Sequence, residues 1–366
     1  MSTRLAIDIG GTFTDIVLQH RTERTTTKVL TTHDDPTNGA LAGVSTVLDE
    51  SNVKPDTIEL VVHGTTLATN ALIQRRGART AFLTTAGHRD VIEMAFENRF
   101  DQYDLNIDRA EPLVSRALRV PIVERMNAAG EVLTPLDVAT VDEALDVLER
   151  AEVESVAIGF LHSYANSKHE EEVAALLSKR FKDVALTLSS AVCPEIREYE
   201  RFSTACANAY VLPIMGRYLL RLQTRLFGLG FTCPMLMMTS GGGLTTFKTA
   251  ARFPIRLVES GPAGGAILAR HIAAALDLGE VMSFDMGGTT AKICLIDNAR
   301  PQFSRAFEVD RRYRFKKGSG LPVRIPVIEM VEIGAGGGSI ASVDNLNRVR
   351  VGPESAGSDP CPACFG

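Results

Sequence analysis

Asp8-Ile9-Gly10-Gly11-Thr12, running on to Asp15-Ile16-Val17-Leu18, and Asp285-Met286-Gly287-Gly288-Thr289, running on to Lys292-Ile293-Cys294-Leu295, are one pattern written twice, 277 positions apart. In each copy an apolar strand (Leu5-Ala6-Ile7, then Val281-Met282-Ser283-Phe284) delivers a carboxylate to a Gly-Gly turn. A hydroxyl residue and a second apolar run follow. Paired glycines admit a tight hairpin with positive φ, and they let backbone N–H groups approach a ligand with no β-carbon in the way. An aspartate and a threonine at such a turn supply what a metal–phosphate group needs: an anionic oxygen for hydrated Mg²⁺, and N–H and O–H donors for phosphate oxygens. One copy alone reads as an ordinary hairpin. Two copies imply a duplicated architecture, with two phosphate loops facing each other across a cleft.

A length of 366 residues is a prior for two domains or one large one. Apolar residues make up 45% and charged residues 23%, the balance of a globular protein. A net charge of −5, with no Lys/Arg block, gives no footprint for nucleic acid. No stretch approaches the ~20 apolar residues of a membrane span. The first strand begins by Leu5, which leaves no room for a signal peptide, so the expected location is the cytoplasm. Of six cysteines only Cys361 and Cys364 are close, as Cys361-Pro362-Ala363-Cys364. A zinc site needs about four ligands, and no second pair exists. The other cysteines read as small buried hydrophobes.

Apolar strand-like runs alternate with helical patterns, which predicts α/β layering with mixed sheets. Ile58–Val62 reads as a strand that turns at His63-Gly64-Thr65-Thr66 into a helix, with a threonine cap, an apolar face of Leu67, Ala71 and Leu72, and Gly77 as its stop. Further strands are expected over Arg79–Thr84, Ser155–Leu161, Asp183–Leu188, Pro234–Thr239 and Val327–Ile333, and helices over Thr140–Arg150, Ser167–Phe181 and Gly264–Leu276. The stretch from Glu93 to Leu136 reads as an irregular excursion. Arg197 to Leu226 reads as one long helix interrupted at Pro213. The chain is expected to leave its first half near Ser189–Pro194, giving domains at 1–190 and 191–366.

The two turns resemble the first and second phosphate motifs of the actin, Hsp70 and sugar-kinase superfamily. Longer stretches narrow the resemblance to the hydantoinase/5-oxoprolinase family, in its nucleotide-binding A-type (N-methylhydantoinase A-like) subunit. The carriers, beside the two turns, are His63-Gly64-Thr65-Thr66-Leu67-Ala68-Thr69-Asn70-Ala71, Ser260-Gly261-Pro262-Ala263-Gly264-Gly265, Gly334-Ala335-Gly336-Gly337-Gly338-Ser339-Ile340-Ala341 and Gly352-Pro353-Glu354-Ser355-Ala356-Gly357. The resemblance implies an α/β fold of the actin/Hsp70/sugar-kinase (ribonuclease H-like) two-domain ATPase type. The related subunits are markedly longer, and the family has glycine where Cys361 stands. An incomplete second domain is therefore expected, with sheet edges and apolar faces uncovered.

By the same resemblance the cofactors are ATP and Mg²⁺. Asp8 and Asp285 are the expected catalytic and metal-binding residues, because phosphoryl transfer needs a carboxylate to position metal-bound water or act as a base. Gly10, Gly11, Thr12, Gly287, Gly288 and Thr289 are expected to hold phosphate. Lys292 is a candidate phosphate partner, although a solvent-facing lysine suits its place on the outgoing strand as well. Gly336 and Gly337 are candidates for the missing adenosine segment. The run there contains G-x-G-x-x-S, but Ile340–Val351 reads as a hairpin, so a dinucleotide loop has no helix to start. His63, Thr65, Thr66 and Glu259 are substrate candidates: a strand-to-helix turn can bind an anion, while capping threonines and a satisfied histidine explain the same residues. The implied reaction is ATP-dependent hydrolysis of a small cyclic amide of hydantoin or 5-oxoproline type. A B-type partner subunit and an oligomer are implied, without nucleic acid or membrane. Two alternatives stand: an ATP-dependent carboxylase subunit of acetone or acetophenone type, and a non-catalytic binding module.

Overall fold

The computed structural model describes residues 2–32, 34–96, 99–288, 290–313 and 316–356. Thr289, Cys361 and Cys364 lie outside the described residues. The first strand, β1 (Thr3–Ile9), buries Thr3, Leu5, Ile7 and Ile9 and turns Arg4, Ala6 and Asp8 the other way. A period of two thus separates the core-facing residues from the carboxylate. β1 turns back into β2 (Phe13–His20), and β3 (Glu23–Leu30) pairs with β2, both antiparallel. Helix α1 (Pro36–Ser51) crosses over, started by Asp35, whose side chain accepts from Thr37 N at 3.1 Å. It leads to β4 (Leu60–Thr65), parallel to β1, and then to α2 (Leu67–Ile73).

A second sheet of four parallel strands follows: β5 (Thr80–Thr85), β6 (Arg119–Ile122), β7 (Ser155–Gly159) and β8 (Ala185–Leu188), in the order β8-β7-β5-β6. Helices α3 (Val138–Arg150) and α4 (Lys168–Arg180) link them. In α3 the buried residues are Val141, Ala144, Leu145 and Leu148, the spacing of one helical face. The excursion expected over Glu93–Leu136 therefore contains a strand. β6 is four residues long and carries Pro121, which an edge strand tolerates and a sequence pattern hides.

Helix α5 (Glu198–Gly228) runs 31 residues without a break at Pro213, where an interruption was expected. Buried residues on both sides, from Phe202 to Val211 and again from Met215 to Leu226, hold it together by packing. β9 (Met235–Met238) then joins β4 in parallel, and β10 (Leu244–Thr246) flanks β9. The completed sheet has the order β10-β9-β4-β1-β2-β3. Three antiparallel strands followed by two parallel ones form the ribonuclease H-like core that the resemblance implies. Its last two strands come from beyond residue 190.

Helix α6 (Ser260–Ala275) packs on β4 and β9 and also on β11 (Glu280–Met286) and β12 (Ala291–Asp297), joining the first sheet to the start of a second unit. The β11/β12 hairpin repeats β1/β2 in register. Seven pairs from Thr3↔His20 to Ile9↔Thr14 match seven from Glu280↔Asp297 to Met286↔Ala291 at the same 277-residue offset. The strand Val331–Ile333 adds to β12, and the hairpin expected after the glycine run forms between Ser339–Val343 and Val349–Ser355. Cys193, Cys206, Cys233 and Cys294 are buried and unbridged, as small hydrophobes.

Candidate functional site

Both turns close alike: Gly10 N donates to Phe13 O and Gly287 N to Thr290 O, each at 2.9 Å. The first turn does not close through positive φ, since neither Gly10 nor Gly11 is left-handed, and Gly287 is not left-handed either. Space is the reason for glycine at the first turn: a β-carbon on Gly10 would stand 3.0 Å from Phe13 O. The glycine that matters most to the carboxylate is Gly64, the parallel partner of Asp8 on β4. A β-carbon there would lie 2.7 Å from Asp8 Oδ1. A β-carbon on Gly261, in the first turn of α6, would lie 3.5 Å from the same oxygen. Asp8 is thus seated between two bare backbones.

Solvent still reaches Asp8, although protein crowds around it. Its pKa rises from 3.8 to about 6, first through desolvation, then through repulsion from Asp15 and Asp285, against an opposing pull from Lys28. Asp285, in the second copy, is exposed and pairs in register with Lys292. Lys292 is not solvent-facing. It forms an ion pair with Glu259, both side chains being mostly buried, and burial lowers its pKa. Glu259 precedes α6 with φ of 61°, held there by its own N–H to Thr69 Oγ1 at 3.1 Å. The next residue, Ser260, donates its hydroxyl to Thr65 O at 3.1 Å and accepts from Thr65 N at 3.4 Å. The head of α6 therefore links the β4–α2 turn to the second hairpin.

Thr65 is buried and its hydroxyl accepts from Leu67 N at 3.2 Å, so of the two threonines expected to cap α2 it is the one whose side chain does so. Thr66 instead donates to Ile9 O at 3.3 Å, beside the first turn, and receives Asn70 Nδ2 at 3.4 Å. Gly77 does not stop α2, which ends before Gln74. A β-carbon at Gly77 would collide with the Tyr210 ring. His63 is fully buried. Its Nδ1 faces Ile7 O at 2.9 Å and its Nε2 faces Tyr218 Oη at 2.6 Å. Desolvation pulls its pKa down to about 4, so the ring is neutral: Nδ1–H donates to the carbonyl and Nε2 accepts from the tyrosine. It joins β1, β4 and α5 inside the core.

Gly336 and Gly337, candidates for the adenosine segment, spend their N–H groups inside the protein. Gly336 N donates to Ser339 Oγ, while Gly337 N and Gly338 N donate to Gly287 O and Gly288 O at 2.9 and 2.7 Å. The run braces the second turn. Thr12 lies at the first turn, its carbonyl receiving Thr31 N at 2.9 Å. Gly64, Asn70, Ser260 and Gly261 complete the surroundings. All lie in segments that the sequence marks, but only their spatial neighbours give them a part.

A magnesium ion keeps several waters and takes one or two carboxylates plus phosphate oxygens. The solvent-open Asp8 and Asp285 suit such a partly hydrated ion. Among the described residues no three His, Cys, Asp or Glu side chains converge into an all-protein cage. Nor is any helix there long and apolar enough to cross a membrane.

Comparison with known proteins places this geometry. Residues 4–181 match the hydantoinase/oxoprolinase N-terminal region and residues 201–366 match the hydantoinase/oxoprolinase domain. Caprolactamase subunit alpha of Pseudomonas jessenii is 36% identical over 99% of this chain and 52% of its own length. The crystal structure of that ATP-dependent caprolactamase superposes with a TM-score of 0.85 at 34% identity, over 99% of this chain and 52% of that one. The gamma subunit of acetophenone carboxylase from Aromatoleum aromaticum is 31% identical, over 98% of this chain and 50% of its own length. A nucleotide-free acetone carboxylase has a TM-score of 0.81 at 25% identity, over 98% of this chain and 51% of that one. The chain spans about half the length of these relatives. With the ribonuclease H-like core, the repeated Asp-Gly-Gly hairpins and two matched regions covering nearly all of it, the chain belongs to the hydantoinase/oxoprolinase family.

Proposed function

We propose that the chain is the nucleotide-binding part of an ATP-dependent enzyme that opens a small cyclic amide by phosphorylating its carbonyl oxygen. The observation that carries this is the seating of Asp8 between Gly64 and Gly261, with its pKa raised to about 6 partly by the charge of Asp285. A carboxylate poised near neutrality, open to solvent and free of a close β-carbon, suits proton transfer and phosphate contact. Relatives with two reaction types share ATP dependence: caprolactamase and acetone carboxylase.

An amide carbonyl is a weak electrophile. Its oxygen attacks the terminal phosphorus of ATP, the bond to the bridging oxygen breaks, and ADP leaves. Water then adds to the carbon, losing a proton. The ring C–N bond opens with a proton to nitrogen, leaving an acyl phosphate, and a second water hydrolyses that to the free carboxylate and phosphate. Asp8 orients the attacking oxygen and receives the proton of water. Asp285 faces the phosphates from the opposite turn, with Gly10, Gly11, Thr12, Gly287 and Gly288 around them. Lys292, released from Glu259, is placed to meet phosphate charge, and Glu259 and Thr66 line the substrate side, with the buried Thr65 positioning the turn beneath them. A bound Mg²⁺ would supply neutralisation of phosphate charge. A partner subunit of B type completes the ring opening. The carboxylase reading uses the same site, with phosphate activating a ketone enol and bicarbonate, and is favoured by the likeness to acetone carboxylase.

The test is ATP turnover by the complete assembly on lactam, hydantoin and oxoproline rings, and on ketone with bicarbonate. Ring-dependent ADP release that Asp8→Ala abolishes supports the proposal. Turnover stimulated by ketone alone replaces it with the carboxylase reading.

A further inference from the structure

Asn70 stands beside the first phosphate turn with one side of its amide unused. It lies on α2, where a β-carbon on Gly11 would be 3.7 Å from its Nδ2. One neighbour fixes which way the amide is turned. Thr66 donates its hydroxyl proton to Ile9 O at 3.3 Å, so toward Asn70 it can only accept, and the atom that reaches it at 3.4 Å is Nδ2. Oδ1 is therefore held away from Thr66. Asn70 is half-buried, and among the described residues its Oδ1 has no partner and is open to solvent.

An asparagine facing bulk water would explain as much. Asn70 faces instead the turn that carries Asp8. Thr66, to which it bonds, is tied to Ile9 O by its N–H as well as its hydroxyl, and the preceding residue, Thr69, holds Glu259 N at 3.1 Å. Asn70 thus sits beside both groups placed on the substrate side.

Oδ1 only accepts, so it repels phosphate oxygens and pairs with a donor. In a small ring the amide is cis, and its C=O and N–H lie on one edge. When the oxygen reaches a phosphoryl group at the first turn, the N–H beside it meets whatever stands next to that turn. Accepting that proton also strengthens the oxygen as a nucleophile, because it drives the nitrogen lone pair into the carbonyl. A ketone has no such proton.

We infer that Asn70 is a specificity-determining residue whose Oδ1 accepts the ring N–H of a cis amide, with Thr66 orienting it. The inference rests on the ring-opening reading above and selects within it: secondary lactams are taken in preference to N-substituted ones and to ketones.

The experiment is ADP release by the complete assembly on caprolactam and on oxoproline, each set beside its N-methyl derivative, with Mg-ATP affinity from calorimetry. The unmutated enzyme should favour the N–H ring by about 100-fold in kcat/KM, as a site built to hydrogen-bond a group rejects the analogue lacking it. Asn70→Ala should cut that ratio by about tenfold or more, and Mg-ATP affinity should move by less than about threefold, since no phosphate contact goes with Oδ1. A residue that only supports the fold would lower turnover of both rings alike and leave the ratio. Equal use of both rings by the unmutated enzyme, an unchanged ratio in Asn70→Ala, or a loss confined to Mg-ATP affinity would each overturn the inference. In those outcomes ring-dependent ADP release persists and the ring-opening reading stands; no release with any ring removes that reading and this inference together. The unmutated enzyme's comparison of the paired rings decides the matter even where the variant fails to fold.

Discussion

Asp8 Oδ1 stands where a β-carbon on Gly64 would be 2.7 Å away, so the carboxylate and the missing side chain occupy the same space. Gly64→Ala should displace the Asp8 carboxylate. Gly11→Ala should be mild, because its β-carbon would meet Asn70 Nδ2 at an ordinary 3.7 Å. We expect Mg-ATP binding, measured by calorimetry, to fall much further for Gly64→Ala than for Gly11→Ala, with similar melting temperatures. Equal losses would detach the glycine from the carboxylate.

Asp8→Ala and Asp285→Ala should each abolish nucleotide-dependent turnover in the complete assembly and leave the fold intact, since both are exposed side chains near strand ends and not in the core. Lys292→Ala should cost less. Full turnover in either aspartate variant would remove that residue from the mechanism.

Asp8 and His63 carry pKa shifts of opposite sign for stability. Asp8 rises from 3.8 to about 6, so the folded state binds the extra proton and its stability falls as pH climbs from about 4 to 6. His63 drops from 6.5 to about 4, so the unfolded state binds the extra proton and stability falls as pH drops from about 6.5 to 4. Asp8→Asn should therefore make the protein more stable than wild type above pH 6, with the gain vanishing near pH 4. His63→Gln should flatten the acid side of the profile relative to wild type. Melting curves between pH 4 and 7 read both, and slopes of the same sign for the two variants would contradict the assignment.

Tyr218→Phe leaves His63 Nε2 buried without its donor, which should cost about 1–3 kcal/mol. The remedy and the damage should both be in stability, not in phosphate chemistry. Denaturant titration with a parallel nucleotide titration separates the two. Gly216→Ala, on α5, is the contrasting case: its β-carbon meets nothing within 4 Å, and it should stabilise by about 0.5–1 kcal/mol.

Lys292 and Glu259 should show coupling in a double-mutant cycle. Lys292→Met and Glu259→Gln each strand a mostly buried partner, so the double variant should be more stable than the sum of the two single losses by about 1 kcal/mol or more. Additive losses would mean that the pair is incidental.

The repeated Asp-x-Gly-Gly-Thr segments, the layering and most elements were legible in the sequence because they rest on local physics. Alternation at period two places Leu5, Ile7 and Ile9 opposite Asp8, and helical spacing gathers Val141, Ala144, Leu145 and Leu148. The identity of the two hairpins followed from the same residues. Tertiary structure decided the rest, because contact between distant segments leaves no periodic trace. Only the fold could set Gly64 and Gly261 beside Asp8, or carry Lys292 to Glu259. It buried His63 against Tyr218, and it turned the amides of the Gly336–Gly338 run toward the second turn. Leu5, Ile7, Ile9 and Leu18 are core in the first copy while their counterparts Met282, Phe284, Met286 and Leu295 are surface in the second, because burial belongs to whatever packs against a strand and not to the strand itself.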